Sequence, residues 1–130
     1  MTNGSTLAGR KLVQVALSVR DLDRARIFYR DTLGLPLMFE AGTMLFFQLE
    51  GLRLLVGKTE KPDAAIGGSV IYFEAPDIET LGEELEAKGV AFTGPAQTVQ
   101  RNETHELKLR EFYDPDGNAL ALMGMVAAAK

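Results

Sequence analysis

The same order of predicted elements occurs twice in this sequence, and that repeat is the strongest constraint on the fold. The first half opens with an alternating strand over residues 11–19, in which positions 13, 15, 17 and 19 are all valine or leucine and are predicted to share the buried face. A helix follows that is capped by Asp21 and ends at Gly34.

The elements after this helix complete the first unit and begin the second. Two apolar strands, 44–49 and 52–56, are separated by a tight turn. A new strand is predicted over residues 69–75, followed by a second helix that is capped by Asp77 and ends at Gly89.

The second half ends with two predicted strands, around 106–113 and 119–123, joined by the turn sequence DPDGN. The two halves align at three landmarks, which pair Asp21 with Asp77, Gly34 with Gly89, and Gly51 with Gly117.

This alignment predicts an α+β fold of two tandem βαββ modules. The modules span residues 11–57 and 69–125, and residues 58–68 link them. Residues 1–10 are interpreted as a disordered N-terminal tail and residues 126–130 as a C-terminal tail. Because the one helix of each module covers one face of its sheet, the other face is free to line a cavity.

Composition excludes several classes of function. A formal charge of −4 gives no electrostatic case for nucleic acid or an anionic membrane as partner. There is no apolar run long enough to span a membrane and no secretory signal, and the chain has no cysteine, so a cytoplasmic location is predicted. With His105 as its single histidine, one chain cannot build a metal site from two or more imidazoles.

The segments VALSVRDLDRARIFYRDTLGL and FYDPDGNALALM resemble the vicinal oxygen chelate superfamily, which includes glyoxalase I, bleomycin-resistance proteins and extradiol dioxygenases. The resemblance runs from about residue 11 to residue 125. It implies paired βαββ modules that form an incomplete barrel around a cavity, commonly in a homodimer.

The resemblance also implies where a divalent metal would be bound, through as many as four side chains. Carried over by position, the four ligand positions fall on Gln14, Leu55, Val70 and Ala121. Only Gln14 carries a donor atom, and a single neutral amide cannot hold a divalent ion against water. No metal and no other cofactor is therefore expected; the alternative is a divalent metal at an atypical site.

Strand alternation places Gln14, Arg53, Tyr72 and Glu74 on the faces that line the cavity, where they are candidate ligand-binding residues. Glu74 is also a candidate catalytic base. Two plainer interpretations stay open: Gln14 is hydrogen-bonded to a neighbouring side chain, and Glu74 forms a salt bridge with Arg53.

His105, in RNETHELKLREFYDPDGN, is a candidate general acid or base and a candidate ligand contact. Arg101, just before it, could clamp an anionic ligand. On the strand that follows, alternation puts His105 and Tyr113 on one face and the side chains of Glu106, Lys108 and Arg110 on the other. The sequence does not decide which face of this strand lines the cavity. Tyr113 is a further candidate ligand-binding residue.

Three functions remain from these observations. The first is a metal-free homodimer that binds a small organic molecule, as resistance or sequestration proteins do. The alternative is a lyase or isomerase of the glyoxalase/dioxygenase type that uses cavity residues or an atypical metal site. The third is an interaction module whose cavity is filled by Met44, Phe47 and Met123.

Overall fold

The computed structural model describes residues 7–61 and 66–128. Parts of both predicted tails and of the predicted linker therefore lie outside the described residues. The first module consists of β1 (Gln14–Val19), α1 (Leu22–Arg26), a π-helical segment (Ile27–Thr32), β2 (Leu37–Ala41), β3 (Met44–Leu49) and β4 (Leu52–Lys58).

The second module repeats this order with one additional short strand. It consists of β5 (Val70–Glu74), α2 (Ile78–Ala87), β6 (Ala91–Phe92), β7 (Gln97–Arg101), β8 (His105–Tyr113) and β9 (Ala119–Ala127).

Each module forms its own sheet with the same topology. In the first sheet the strand order is β1-β4-β3-β2, and in the second it is β5-β9-β8 with β6 and β7 along the outer edge of β8. The first strand of each module pairs in parallel with the last one, and the remaining pairs are antiparallel. The prediction of an α+β fold with two tandem βαββ modules is therefore confirmed.

The edge strands and some strand ends differ from the sequence pattern. Four of the five residues of β2 are exposed and all of β7 is exposed, so neither strand carries the alternation that would have predicted it. Strand β9 continues to Ala127, past the predicted module end. Val13 precedes β1 and is 65% exposed, so the prediction that it lies on the buried face was wrong.

The helices begin and end as the local sequence dictates, with one exception. The Asp21 carboxylate accepts a hydrogen bond from the Arg24 amide at 3.0 Å and caps α1. Asp77 occupies the equivalent position before α2, but its side chain makes no capping hydrogen bond. Gly34 and Gly89 adopt positive φ angles of 75° and 93°, which allow the chain to leave each helix.

The hydrophobic core lies between the helices and the covered faces of the two sheets. In the first module, Leu54 and Phe47 pack under Tyr29, whose ring centroid is 6.0 Å from that of Phe47. In the second module, Leu120 and Phe112 occupy the same layer. Complete burial of side chains of this size stabilises a fold by about 1.5–3 kcal/mol each.

The DPDGN turn joins the two modules. The buried Tyr29 hydroxyl donates a hydrogen bond to Asp114 Oδ2 at 2.7 Å. The Asn118 amide donates both to Asp114 and to the backbone oxygen of Ser18 in β1, each at 2.8 Å. Arg24 of α1 forms an ion pair with Asp116 at 2.8 Å. We call the contact among these six residues the module seam.

The two sheets do not close into a barrel within the described chain, because their strands form two separate hydrogen-bonded sheets. No helix in the described part of the chain has the length and apolar character needed to cross a membrane.

Candidate functional site

The helix-free face of each sheet is defined by its strand register, because residues directly paired across strands share a face. In the first sheet Gln14 pairs with Arg53, and the next residues on that face, Ala16 and Leu55, pair with each other. In the second sheet the corresponding pairs are Val70 with Ala119 and Tyr72 with Ala121. Gln14 and Val70 are therefore equivalent in the two modules, and so are Leu55 and Ala121.

The register also decides which face of β8 is open. Arg110 lies on the covered face, where its guanidinium is 3.4 Å from Glu86 of α2 and is stacked 3.9 Å from the Phe92 ring centroid. Glu111 pairs with Ala121 and Tyr113 pairs with Ala119, so both lie on the helix-free face. His105 shares that face by alternation, which answers the question that the sequence left open.

The helix-free face of the first sheet is arranged in three rows across the strands. We call it the first open face. Its polar row contains Gln14, Arg53 and Gln48; its apolar row contains Ala16, Leu55, Phe46 and Phe39; its third row contains Ser18, Gly57, Met44 and Ala41.

Two aromatic residues of this face were missed by sequence reasoning. The rings of Phe39 and Phe46 stack with centroids 4.5 Å apart and planes at 18°. The Arg53 guanidinium lies 5.8 Å from the Phe46 centroid, within cation–π range. Phe47, predicted to fill the cavity in the interaction-module interpretation, instead lies on the covered face and is fully buried. Because Phe46 and Phe47 are adjacent and equally apolar, alternation in MLFFQL could not show which of them lies on the open face.

The helix-free face of the second sheet, which we call the second open face, is acidic and rich in methionine. It carries Glu74 beside Met123 and Leu109, and Glu111 beside Ala121 and Tyr72. No ion pair of Glu74 or Arg53 occurs among residues 7–61 and 66–128, so the salt bridge predicted between them does not form within the described chain.

His105 lies at the beginning of β8, beside a small cavity. The Thr104 hydroxyl is 2.8 Å from its Nδ1 atom, and the Asn102 side chain accepts a hydrogen bond from its backbone amide at 2.8 Å. The cavity has a volume of about 130 Å³ and is lined by Gln100, Arg101, Asn102, His105, Leu107 and Met125.

Arg101 also borders this cavity, but its charge is directed elsewhere. It pairs in register with Glu106, which lies on the covered face of β8, and its guanidinium is 3.5 Å from that carboxylate. Glu106 is buried and also accepts a hydrogen bond from the Thr98 hydroxyl at 2.8 Å. The arrangement makes Arg101 a partner of Glu106 rather than a residue of the second open face.

The sequence matches a family model over residues 11–122, and the model describes the Glyoxalase/Bleomycin resistance protein/Dioxygenase superfamily. The chain belongs to this superfamily.

Several known proteins resemble this superfamily member. The uncharacterized protein YraH of Bacillus subtilis (strain 168) is 27% identical over 135 residues, which cover 89% of this chain and 99% of YraH. A lactoylglutathione lyase from Agrobacterium tumefaciens is 22% identical with a TM-score of 0.73, and the match covers 88% of this chain and 93% of that one. A glyoxalase/bleomycin resistance protein/dioxygenase from Nocardioides is 22% identical with a TM-score of 0.74, and the match covers 97% of this chain and 90% of that one. At these identities the structural likeness shows a shared fold.

The donor atoms at the superfamily's ligand positions do not fit a divalent metal. The equivalent positions Gln14, Leu55, Val70 and Ala121 supply one amide and three hydrocarbon side chains. Within the residues that the structure describes, no group of three or more histidine, aspartate or glutamate side chains is placed to hold a metal ion. No chemistry at this site is therefore assigned to a metal.

The two candidate catalytic residues of this superfamily member do not meet in one site. Glu74 and His105 share the second open face, but Glu74 is on β5 and His105 is on β8, with β9 between them. Two strand spacings and four residues along the strand place their Cα atoms roughly 16 Å apart. A reaction that needs both side chains on one substrate atom is not supported by this geometry.

Proposed function

We propose that this protein is a homodimer that binds a small organic molecule without a metal, between the first open face of one protomer and the second open face of its partner. The observation that carries this proposal is the concentration of exposed apolar side chains on the two open faces. Seven large side chains of this kind lie there: Phe39, Met44, Val70, Tyr72, Tyr113, Met123 and Met125.

Contiguous apolar surface of this kind marks a binding surface, since a monomeric protein rarely leaves it in water. A second copy of the chain can cover both faces at once, because a twofold axis makes the two contacts equivalent. Pairing of unlike faces also keeps like charges apart, since the first open face carries Arg53 and the second carries Glu74 and Glu111.

A cavity enclosed in this way has the composition of a small-molecule site. Its walls are apolar with a few polar groups, among them Gln14, Tyr72 and Glu74, and such walls bind organic molecules by burial and orient them by hydrogen bonds. Two observations support binding without conversion: three of the four ligand positions carry no metal donor, and Glu74 and His105 lie far apart on the second open face. This combination supports sequestration of the ligand.

The dimer can be tested with two matched aspartate substitutions. Met125 on the second open face is 55% exposed and Ile27 on the helical side is 57% exposed. Light scattering should give the wild-type protein twice the 14.2 kDa mass of one chain. We expect Met125→Asp to shift the mass to that of one chain, because a carboxylate cannot be buried unpaired, and Ile27→Asp to leave the dimer intact. A wild-type monomer at micromolar concentration would contradict the proposal.

Ligand binding is tested with a panel of planar and aliphatic compounds in a thermal unfolding assay. A ligand that binds only the folded state raises the unfolding midpoint, and the rise grows with the logarithm of the ligand concentration once that concentration exceeds the dissociation constant. Bound compounds should be recovered chemically unchanged. Conversion of a bound compound would instead favour the lyase or isomerase alternative, which the fold shared with the Agrobacterium lactoylglutathione lyase leaves available.

A further inference from the structure

The first open face carries a cation that has no acidic partner within residues 7–61 and 66–128. Arg53 forms no ion pair among the residues that the structure describes, and its guanidinium lies 5.8 Å from the centroid of the Phe46 ring. The side chain is partly buried, so its charge is less screened than on an open surface. A guanidinium offers several N–H donors in a planar fork that matches a carboxylate.

An unused amide lies beside this cation. Gln14 is the direct cross-strand neighbour of Arg53, and its side chain makes no hydrogen bond within the described chain. Gln48, on the other side of Arg53, already donates to the backbone oxygen of Leu49 at 2.7 Å. Arg53 and Gln14 are therefore the two groups of the polar row that remain available to an anion.

The neighbouring row provides an aromatic surface. Phe46 and Phe39 are stacked with centroids 4.5 Å apart, and Phe39 is 44% exposed. Stacked rings of this kind hold a further planar ring by offset or edge contacts. Consecutive rows on one face of a sheet lie about 6.6 Å apart, so a ring that contacts the aromatic row places a carboxylate substituent within reach of the polar row.

We propose that the first open face binds planar aromatic carboxylates, with Arg53 and Gln14 on the carboxylate and Phe46 and Phe39 against the ring. This inference rests on the proposed function, because the partner's second open face forms the other wall of the site. It adds the class of ligand, and it assigns a binding role to the two phenylalanines.

The test compares naphthalene derivatives that share the ring system and carry an anionic, a neutral or a cationic substituent at the same position. The probes are 2-naphthoate, the neutral 2-naphthalenemethanol and the cationic 2-naphthylmethylammonium, with cyclohexanecarboxylate as the non-planar acid. Since the chain contains no tryptophan, naphthalene fluorescence can be followed without that background. We expect naphthoate to bind at least about tenfold more tightly than the alcohol, as a charge-assisted hydrogen bond implies, and cyclohexanecarboxylate to bind more weakly than naphthoate.

Substitutions assign the selectivity to individual side chains. Arg53→Gln should abolish the preference for naphthoate over the alcohol, and Arg53→Lys should retain only part of it, because an ammonium lacks the planar fork. Phe39→Leu should weaken all three naphthalenes and leave the charge preference unchanged. Arg30→Gln, at an exposed position of the π-helical segment, is the matched control and should change nothing.

Each other outcome contradicts the inference in a distinct way. If Arg53 pairs with a carboxylate of the partner protomer instead, the alcohol will bind as well as naphthoate, and Arg53→Gln will weaken the dimer. If the cationic probe binds best, the site selects cations. If other compounds of the panel bind while no naphthalene does, the ligand class is wrong and the proposed function stands. A monomer that binds nothing overturns both.

Discussion

The two faces of each sheet have different surroundings, and comparing the two modules face by face separates the residues that determine the fold from those that are candidates for function. The covered faces are alike in the two modules: Leu54 and Val56 under α1 correspond to Leu120 and Leu122 under α2. The open faces are unlike. Where the first has Arg53, the second has Ala119, because the pairs Gln14–Arg53 and Val70–Ala119 occupy the same register.

The two modules therefore share the packing of the covered face against the helix, whereas the side chains of their open faces differ. A covered position must fill a fixed volume against a helix, and few side chains do so. An open position faces a ligand or a second copy, so its chemistry follows the partner. The comparison can be tested on single strands, where neighbouring residues face opposite sides.

The largest effect is expected for an added methyl group on the covered face. A Cβ on Gly124 would overlap the backbone oxygen of Ala75, which cannot move aside, whereas a Cβ on Gly57 would meet the Leu55 side chain at an ordinary 3.4 Å. We expect Gly124→Ala to lower the free energy of unfolding by at least about 3 kcal/mol. Gly57→Ala should change it by no more than about 0.5 kcal/mol. Urea unfolding followed by circular dichroism measures both; equal losses would refute the assignment of faces.

A smaller difference is expected between two neighbouring leucines of β4. Leu54 is 1% exposed on the covered face, while Leu55 lies on the first open face. Leu54→Ala should cost about 2–5 kcal/mol of unfolding free energy because it leaves a cavity in the core. Leu55→Ala should cost less than about 1 kcal/mol in the single chain. Unfolding should be measured at two protein concentrations. If Leu55 contacts the partner protomer, the stability lost in Leu55→Ala will depend on protein concentration. A larger loss of unfolding free energy for Leu55→Ala than for Leu54→Ala would contradict the assignment of the two faces.

The covered faces explain how much of the fold the sequence could predict. Alternating apolar residues identified β1 and β5, and capping residues with apolar residues at helical spacing identified the helices, because each of these elements packs one side against the core. Strand β8 did not reveal its open side, since Lys108 and Arg110 lie on the covered face. There their stems cross the sheet surface, and their charges meet Glu79 and Glu86 of α2 at 3.3 and 3.4 Å. Charged residues on a covered face remove the signal that alternation depends on.

The candidate site was also predictable in part, because strand alternation assigns residues to a face of the sheet. Counting along strands placed Gln14, Arg53, Tyr72 and Glu74 on the open faces, where the register puts them. The Phe39–Phe46 stack could not be predicted, because β2 has no alternation and Phe46 is followed by another phenylalanine. The role of the DPDGN turn was also missed: composition identified a turn, but only the tertiary structure brings Asp114 to Tyr29.

The smallest effect is expected at the module seam, with a characteristic dependence on pH. Burial and the charge of Asp114 raise the pKa of Tyr29 above its ordinary value of 10.0. Above pH 10 the unfolded chain therefore releases a proton that the folded chain retains, so the free energy of unfolding decreases as the pH rises. Tyr29→Phe should cost about 1–2 kcal/mol at pH 7, since Asp114 Oδ2 keeps its bond from Asn118.

Tyr29→Phe should also remove most of the decrease in stability above pH 10. Tyr72→Phe is the matched control: its hydroxyl lies on the second open face, 48% of the residue is exposed, and its loss should change neither the stability at pH 7 nor the alkaline slope. Urea unfolding between pH 7 and 11 measures both quantities. If Tyr72→Phe removed the decrease of stability above pH 10 and Tyr29→Phe did not, the tyrosine that stabilises the fold would lie on the open face. That result would contradict the assignment of packing to the covered faces and of binding to the open faces.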